Sequence, residues 1–69
     1  MEVNMNLRKA RLDARKSVQD VMKELDVSDA AVYLWESGKV NPKIENLKKL
    51  SKLYGVSIDY LVGNDLPEA

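Results

Sequence analysis

Five serines and eleven Lys and Arg side chains are the groups with which this chain could do chemistry. Covalent and acid–base catalysis both fail on inventory. Ser17, Ser28, Ser37, Ser51 and Ser57 have no imidazole to activate them, because the sequence contains no histidine. It contains no cysteine either, so disulfides, thiolate chemistry and the usual Cys/His metal sites are excluded. No glycine-rich phosphate loop occurs. The expectation is a protein that is not an enzyme and carries no cofactor. What remains is ion pairing and hydrogen bonding by the basic residues.

Their spacing is informative although net charge is zero. Residues 1–16 carry +3, residues 17–38 carry −4, residues 39–52 carry +4, and the remainder carries −3. Two basic blocks thus bracket an acidic one. If folding gathers those blocks on one face, they can grip phosphates around a nearly neutral surface. Ordinary solvated helix faces would give the same counts, so charge alone leaves both open.

Apolar periodicity shows what must position these groups. Helix signals dominate and no strand pattern emerges. Leu7, Ala10, Arg11 and Ala14 predict a helix over roughly residues 5–15. Ser17 suits the N-cap of a second helix with Val18, Val21, Met22 and Leu25 inward, and Asp20 stands where a capping-box acid belongs. Asp26 can turn the chain through the left-handed region. Ser28 caps a third helix that ends at Gly38, with Val32, Trp35 and Ala31 inward. Asn41-Pro42 marks a turn. A fourth helix then runs to Tyr54, with Ile44, Leu47, Leu50 and Leu53 or Tyr54 facing the core. Ser57 caps a fifth, Ile58 to Val62. The tail 64–69 is expected to be frayed. The sum is a single all-α domain over residues 1–69, with its core at about 5–63 and five short helices. With no apolar run reaching seven residues, the expectation is a soluble, cytoplasmic protein without a membrane segment.

Within Val18–Ser37, the apolar residues Val21, Leu25, Val27, Val32 and Trp35 bury one face of each of two short helices and the bend between them. Such a bend pushes the second helix outward, at a length a B-DNA major groove accepts. Together with "LRKAR", "LDVS…VYLWESGKVNP" and "ENLKKLSKLYGVSIDYLVG", this unit resembles the helix-turn-helix domain of the phage repressor and Cro family, also called the XRE family. The likeness extends over about residues 5–63 and implies a lambda-repressor-like fold with its helix-turn-helix at 18–37. It also implies a structural ion pair between Arg11 and Glu36. Three positions depart from the family: Met22 stands where alanine is usual, Asp26 where glycine is usual, and Val18 where glutamine is frequent.

The resemblance further implies that Ser28, Asp29, Ala30, Tyr33 and Leu34 face the bases. None of them can make the bidentate contacts of Arg, Gln or Asn, so direct readout should be modest. Ala30 and Leu34 can meet thymine methyl groups, Asp29 can accept from a cytosine amino group, and Tyr33 can donate. Affinity then rests on phosphate contacts from Gln19, Lys39, Asn41 and Lys43, from the amides that open the second helix, and secondarily from Arg15 and Lys16. The family habit is a homodimer on double-stranded DNA, with Ile58, Tyr60, Val62 and Leu66 as the pairing surface, since Val62 and Leu66 have no evident core duty. The same outward residues support a second expectation. Ala30, Ala31, Tyr33 and Leu34 form an apolar patch ringed by Asp29 and Glu36, which suits a protein partner on the same scaffold, such as a repressor modulator or an antitoxin. Fold alone does not choose between these two.

Overall fold

The computed structural model describes residues 6–63, so the tail 64–69 and Leu66 lie outside the described residues. Among these the chain forms five helices and no strand: α1 (Leu7–Asp13), α2 (Val18–Leu25), α3 (Asp29–Ser37), α4 (Ile44–Tyr54) and α5 (Ile58–Leu61). No helix of the described residues is long and apolar enough to cross a membrane.

Local chemistry explains most of the boundaries. At the start of α2, Ser17 Oγ accepts from the Asp20 amide at 3.1 Å, and the Asp20 carboxylate accepts from the Ser17 amide at 2.7 Å. The capping box is therefore complete with aspartate in the acid position. Those bonds hold the Asp20 carboxyl below its ordinary range, the backbone bond from Ser17 being the first cause. Asp26 closes α2 in the left-handed region, at φ 59° and ψ 51°. Ser28 and Ser57 cap α3 and α5 through the amides of Ala31 and Tyr60. Gly38, at φ 82°, ends α3 where a side chain would be strained.

Helix α1 stops earlier than its apolar spacing suggests. Ala14 is its C-cap, and Arg15 takes a left-handed conformation at φ 60°. The Lys16 amide bonds back to the Arg11 carbonyl and the Arg15 amide to that of Leu12, both at 3.0 Å. This is the Schellman closure of a helix end, made without the glycine that usually signals it.

The core is built from Leu7, Ala10, Val21, Leu25, Val32, Trp35, Leu47, Leu50, Tyr54 and Leu61. Each fully buried Leu or Val in it contributes roughly 1.5–3 kcal/mol. Helix α4 packs against α1, α2 and α5, while α3 rests on α1 and α2. Trp35 and Tyr54 are core side chains. Burial pushes the Tyr54 phenol up to about 12.

Two expectations are corrected. Ile44 is not inward: at the first position of α4 it is 59% exposed, whereas Pro42, two residues before it, is buried. Val62 does have a core duty, since it is partly buried against the cluster, as are Ile58 and Tyr60. Leu61, in the closing stretch of the resemblance, is fully buried. The two ends of the described chain meet. The Asn6 amide bonds to the Leu61 carbonyl at 2.9 Å, and Asn6 Nδ2 donates to the Tyr60 carbonyl at 2.8 Å.

Candidate nucleic-acid interface

The orientation of α3 decides what it can offer. Val32 and Trp35 anchor it in the core, with Ala31 partly buried beside them. Ser28, Asp29, Ala30, Tyr33 and Leu34 all lie on the exposed side. Tyr33 is 56% and Leu34 39% exposed, so neither serves the interior. Ser28 also caps the helix, which leaves its hydroxyl already engaged with the Ala31 amide at 3.2 Å.

A second set of contacts fixes how α3 stands on the body. Arg11 Nε donates to Glu36 Oε2 at 2.7 Å, and Arg11 Nη2 donates to Glu36 Oε1 at 3.1 Å. The two side chains are only 10% and 8% exposed. The bond to Glu36 holds the guanidinium charged beyond its ordinary range, against the opposing effect of burial. A third donor, Arg11 Nη1, reaches the Lys16 carbonyl at 3.1 Å. One guanidinium therefore ties the C-terminal turn of α3 to the turn that leads into α2. A fork of this kind is directional, so it specifies orientation as well as proximity.

Beside that tie lies a shallow groove lined by Arg8, Arg11, Val18, Tyr33, Glu36 and Ser37. It joins the start of α2 to the outer half of α3. Arg8 is exposed at its rim, and sequence reasoning passed over it. The available signal was its spacing: three residues before Arg11, it falls on the same side of α1.

The remaining candidates divide into a loop and a helix start. Lys39, Asn41 and Lys43 are all exposed in the segment between α3 and α4. That segment is held to α3 by bonds from the Lys39 and Val40 amides to the Leu34 carbonyl, at 3.1 and 3.2 Å. Lys43 is also the N-cap of α4, without a side-chain capping bond. Gln19 is exposed in the first turn of α2. That terminus is a weaker anion site than its position suggests. The Ser17 and Asp20 amides are engaged within the capping box, and the Asp20 carboxylate places negative charge there, so of this first turn only the Val18 and Gln19 amides remain for a phosphate. Ile58, Tyr60 and Val62 lie on and just after α5, away from this set in the chain and half-covered by the core.

The geometry is that of two short helices joined by a tight left-handed turn, with the second presented outward. A helix-turn-helix family model matches residues 7–61. The chain belongs to the helix-turn-helix family. Its members are non-enzymatic DNA-binding transcription regulators. The chain is 37% identical over 65 residues to the HTH-type transcriptional activator BcrR of Enterococcus faecalis, covering 94% of this chain and 32% of that protein. It is 32% identical over 65 residues to the HTH-type transcriptional regulator ImmR of Bacillus subtilis (strain 168), covering 94% of this chain and 51% of that one. Multiprotein-bridging factor 1c of Arabidopsis thaliana is 32% identical over 62 residues, covering 90% of this chain and 42% of the relative. The chain thus spans about a third to a half of the length of these relatives.

Proposed function

We propose that this chain is a sequence-specific double-stranded DNA-binding regulator of the phage-repressor type that inserts α3 into the major groove and binds operator half-sites as a dimer. The observation that carries this reading is the two-sided character of α3. Val32 and Trp35 are buried, while Ser28, Asp29, Ala30, Tyr33 and Leu34 stand clear of the core on a helix whose tilt is fixed by the Arg11–Glu36 fork. In this reading Lys39, Asn41 and Lys43 in the segment after α3, with Gln19 in the first turn of α2 and Arg8 on α1, meet the backbone phosphates. Readout of bases is correspondingly lean. Methyl contacts from Ala30 and Leu34, hydrogen bonds from Tyr33 and Asp29, and the deformability of the duplex carry the specificity. Two-fold pairing through the exposed parts of Ile58, Tyr60 and Val62 sets the half-site spacing at about 34 Å.

The test is selection from a random duplex pool, followed by titration of the recovered sequence at two salt concentrations. Recovery of a palindrome supports the reading. Replacing Lys39 and Lys43 together by alanine is expected to reduce the slope of log K against log salt by about 1.8, two phosphates at about 0.9 each. An unchanged slope, or no enrichment of any sequence, counts against it.

One observation favours a second reading. Tyr33 and Leu34 form an exposed apolar surface on α3, and one relative bears the name of a bridging factor. The same helix would then dock a protein instead of a duplex. Enrichment of no duplex, alongside capture of one protein partner that Tyr33→Ala abolishes, would select that alternative.

A further inference from the structure

In the basic block 39–52, Lys39 and Lys43 lie in the segment after α3 and are taken up by the DNA reading. Lys48, Lys49 and Lys52 are not. All three are exposed on α4. Their spacing makes them neighbours: Lys52 stands four residues after Lys48 and three after Lys49, where like charges on a helix repel. None of them forms an ion pair among the described residues, whose two bridges are Lys9–Asp13 and Arg11–Glu36.

Apolar surface lies among these charges. Lys48, Lys49 and Lys52 line a shallow groove with Ser51 and Ile58, and Lys49 and Lys52 border a second with Leu53 and with Glu24 of α2. Leu53 and Ile58 are only partly buried against the core. The corner between α4 and α5 is pinned. Ser51 Oγ donates to the Val56 carbonyl, and the Ser51 carbonyl accepts from the Gly55 and Val56 amides at 2.9 and 3.2 Å. The groove is therefore preformed, so little ordering is needed to fill it. No residue of α3, or of the segment 38–43 after it, lines either groove.

We propose that this α4–α5 groove docks an acidic segment of a partner protein, with an apolar side chain on Ile58 and Leu53 and carboxylates on Lys48, Lys49 and Lys52. Charge complementarity names the occupant. Lysine is a mobile point charge that suits a carboxylate, and its methylene stem walls an apolar groove. A duplex fits less well. The three lysines follow the free amides at the opening of α4, so no backbone donor accompanies them, and Ile58 gives a phosphate nothing. A second copy laid over the groove about a two-fold axis would set lysine against lysine. This inference goes beyond the DNA reading and does not depend on it. It also differs from docking on α3, since this groove shares no residue with the one beside that helix.

The probe is a short fluorescein-labelled peptide with two leucines set among glutamates, titrated by fluorescence anisotropy against the parent chain and against the combined variant Lys48→Gln, Lys49→Gln, Lys52→Gln. Glutamine keeps a long polar side chain and removes the charge. The variant is expected to unfold at the same temperature or higher, because repulsion is relieved. Each exposed pair contributes a factor of about 1.4 to 5, so losing three is expected to weaken peptide binding on the order of tenfold. Lys23→Gln, at an exposed lysine of α2 outside both grooves, is expected to leave the affinity unchanged. A companion probe with serine in place of leucine is expected to bind the parent more weakly. Four results overturn the proposal: a parent that does not bind the leucine probe, a combined variant that binds it as tightly, a Lys23 variant that loses as much, or a serine probe that binds as well. Two more arms test the other occupants. A combined variant with a shallower salt slope on a mixed-sequence duplex pool gives the lysines to phosphates, and one that loses self-association in sedimentation gives the groove to a second copy. Either result overturns the proposal. A parent chain that captures no duplex rejects the DNA reading alone, and the peptide titration still decides this one.

Discussion

Replacing Glu36 by alanine should unfold this protein or bring it close to unfolding. The carboxylate is 8% exposed and takes two donors from Arg11, which is itself 10% exposed. Removing it leaves a guanidinium with one remaining acceptor, the Lys16 carbonyl, in a site that water barely reaches. Breaking a buried pair by deleting one partner costs about 3–5 kcal/mol. A chain of this length has roughly 3–10 kcal/mol in total, so the loss is comparable with the whole stability. With a urea slope of about 1 kcal/mol per molar for so small a protein, the midpoint should fall by about 3 M or more, read from helical circular dichroism. Removing both charges is the decisive control. Arg11→Met combined with Glu36→Leu leaves no unpaired ion and should recover most of the loss. A single variant whose midpoint moves by less than about 0.5 M, or a double variant no better than the single, would refute the reasoning. If the double variant folds as well as the parent, its duplex affinity should still be lower, because the fork that orients α3 is gone while the packing remains.

Three further outcomes follow from the described chemistry. The Asp20 carboxyl is held below its ordinary 3.8 in the folded state, so its contribution is present above that value and is lost as pH falls through the lower folded value. Asp20→Asn should remove this acid sensitivity, measured as the pH dependence of the urea midpoint below pH 4. The Tyr54 phenol moves the other way: raised from 10.0 to about 12 by burial, it favours the fold fully below pH 10, and that contribution disappears as pH rises toward 12. Tyr54→Phe should flatten the alkaline limb of the stability curve in the same assay. At Asp26, which ends α2 at φ 59°, glycine should be neutral or stabilising by up to about 1 kcal/mol, whereas valine should destabilise by more than that, both read from the unfolding midpoint.

The sequence exposed those parts of the molecule where one residue type has one physical use. Ser17 with Asp20, Asp26, Gly38 and Gly55 mark helix ends through capping and left-handed preference, and the structure uses each of them so. Val21, Leu25, Val32 and Trp35 could be placed inside because a helix that buries one face repeats at three and four residues. Less was visible where tertiary contacts override local preference. The end of α1 could not be read, since Arg15 carries no glycine signature and the closure comes from backbone bonds. Ile44 fits the apolar stripe of α4, yet it is exposed where that helix opens, while Pro42 just before it is buried. Arg8 is one basic residue among several until the fold puts it at the rim of a groove with Tyr33 and Ser37. The candidate phosphate residues were nameable by type, but only the fold shows that Asp20 competes for the terminus beside Gln19.

The two bonds from Asn6 to the Tyr60 and Leu61 carbonyls join the first helix to the last across 54 positions of sequence. A helix of only four residues such as α5 has little independent persistence in water. Clasped to the entry of α1, it opens only when that entry opens too. Amide exchange in α5 should therefore be coupled to opening at the entry of α1, and the small domain gains the cooperativity of a closed ring from a thread that is topologically open.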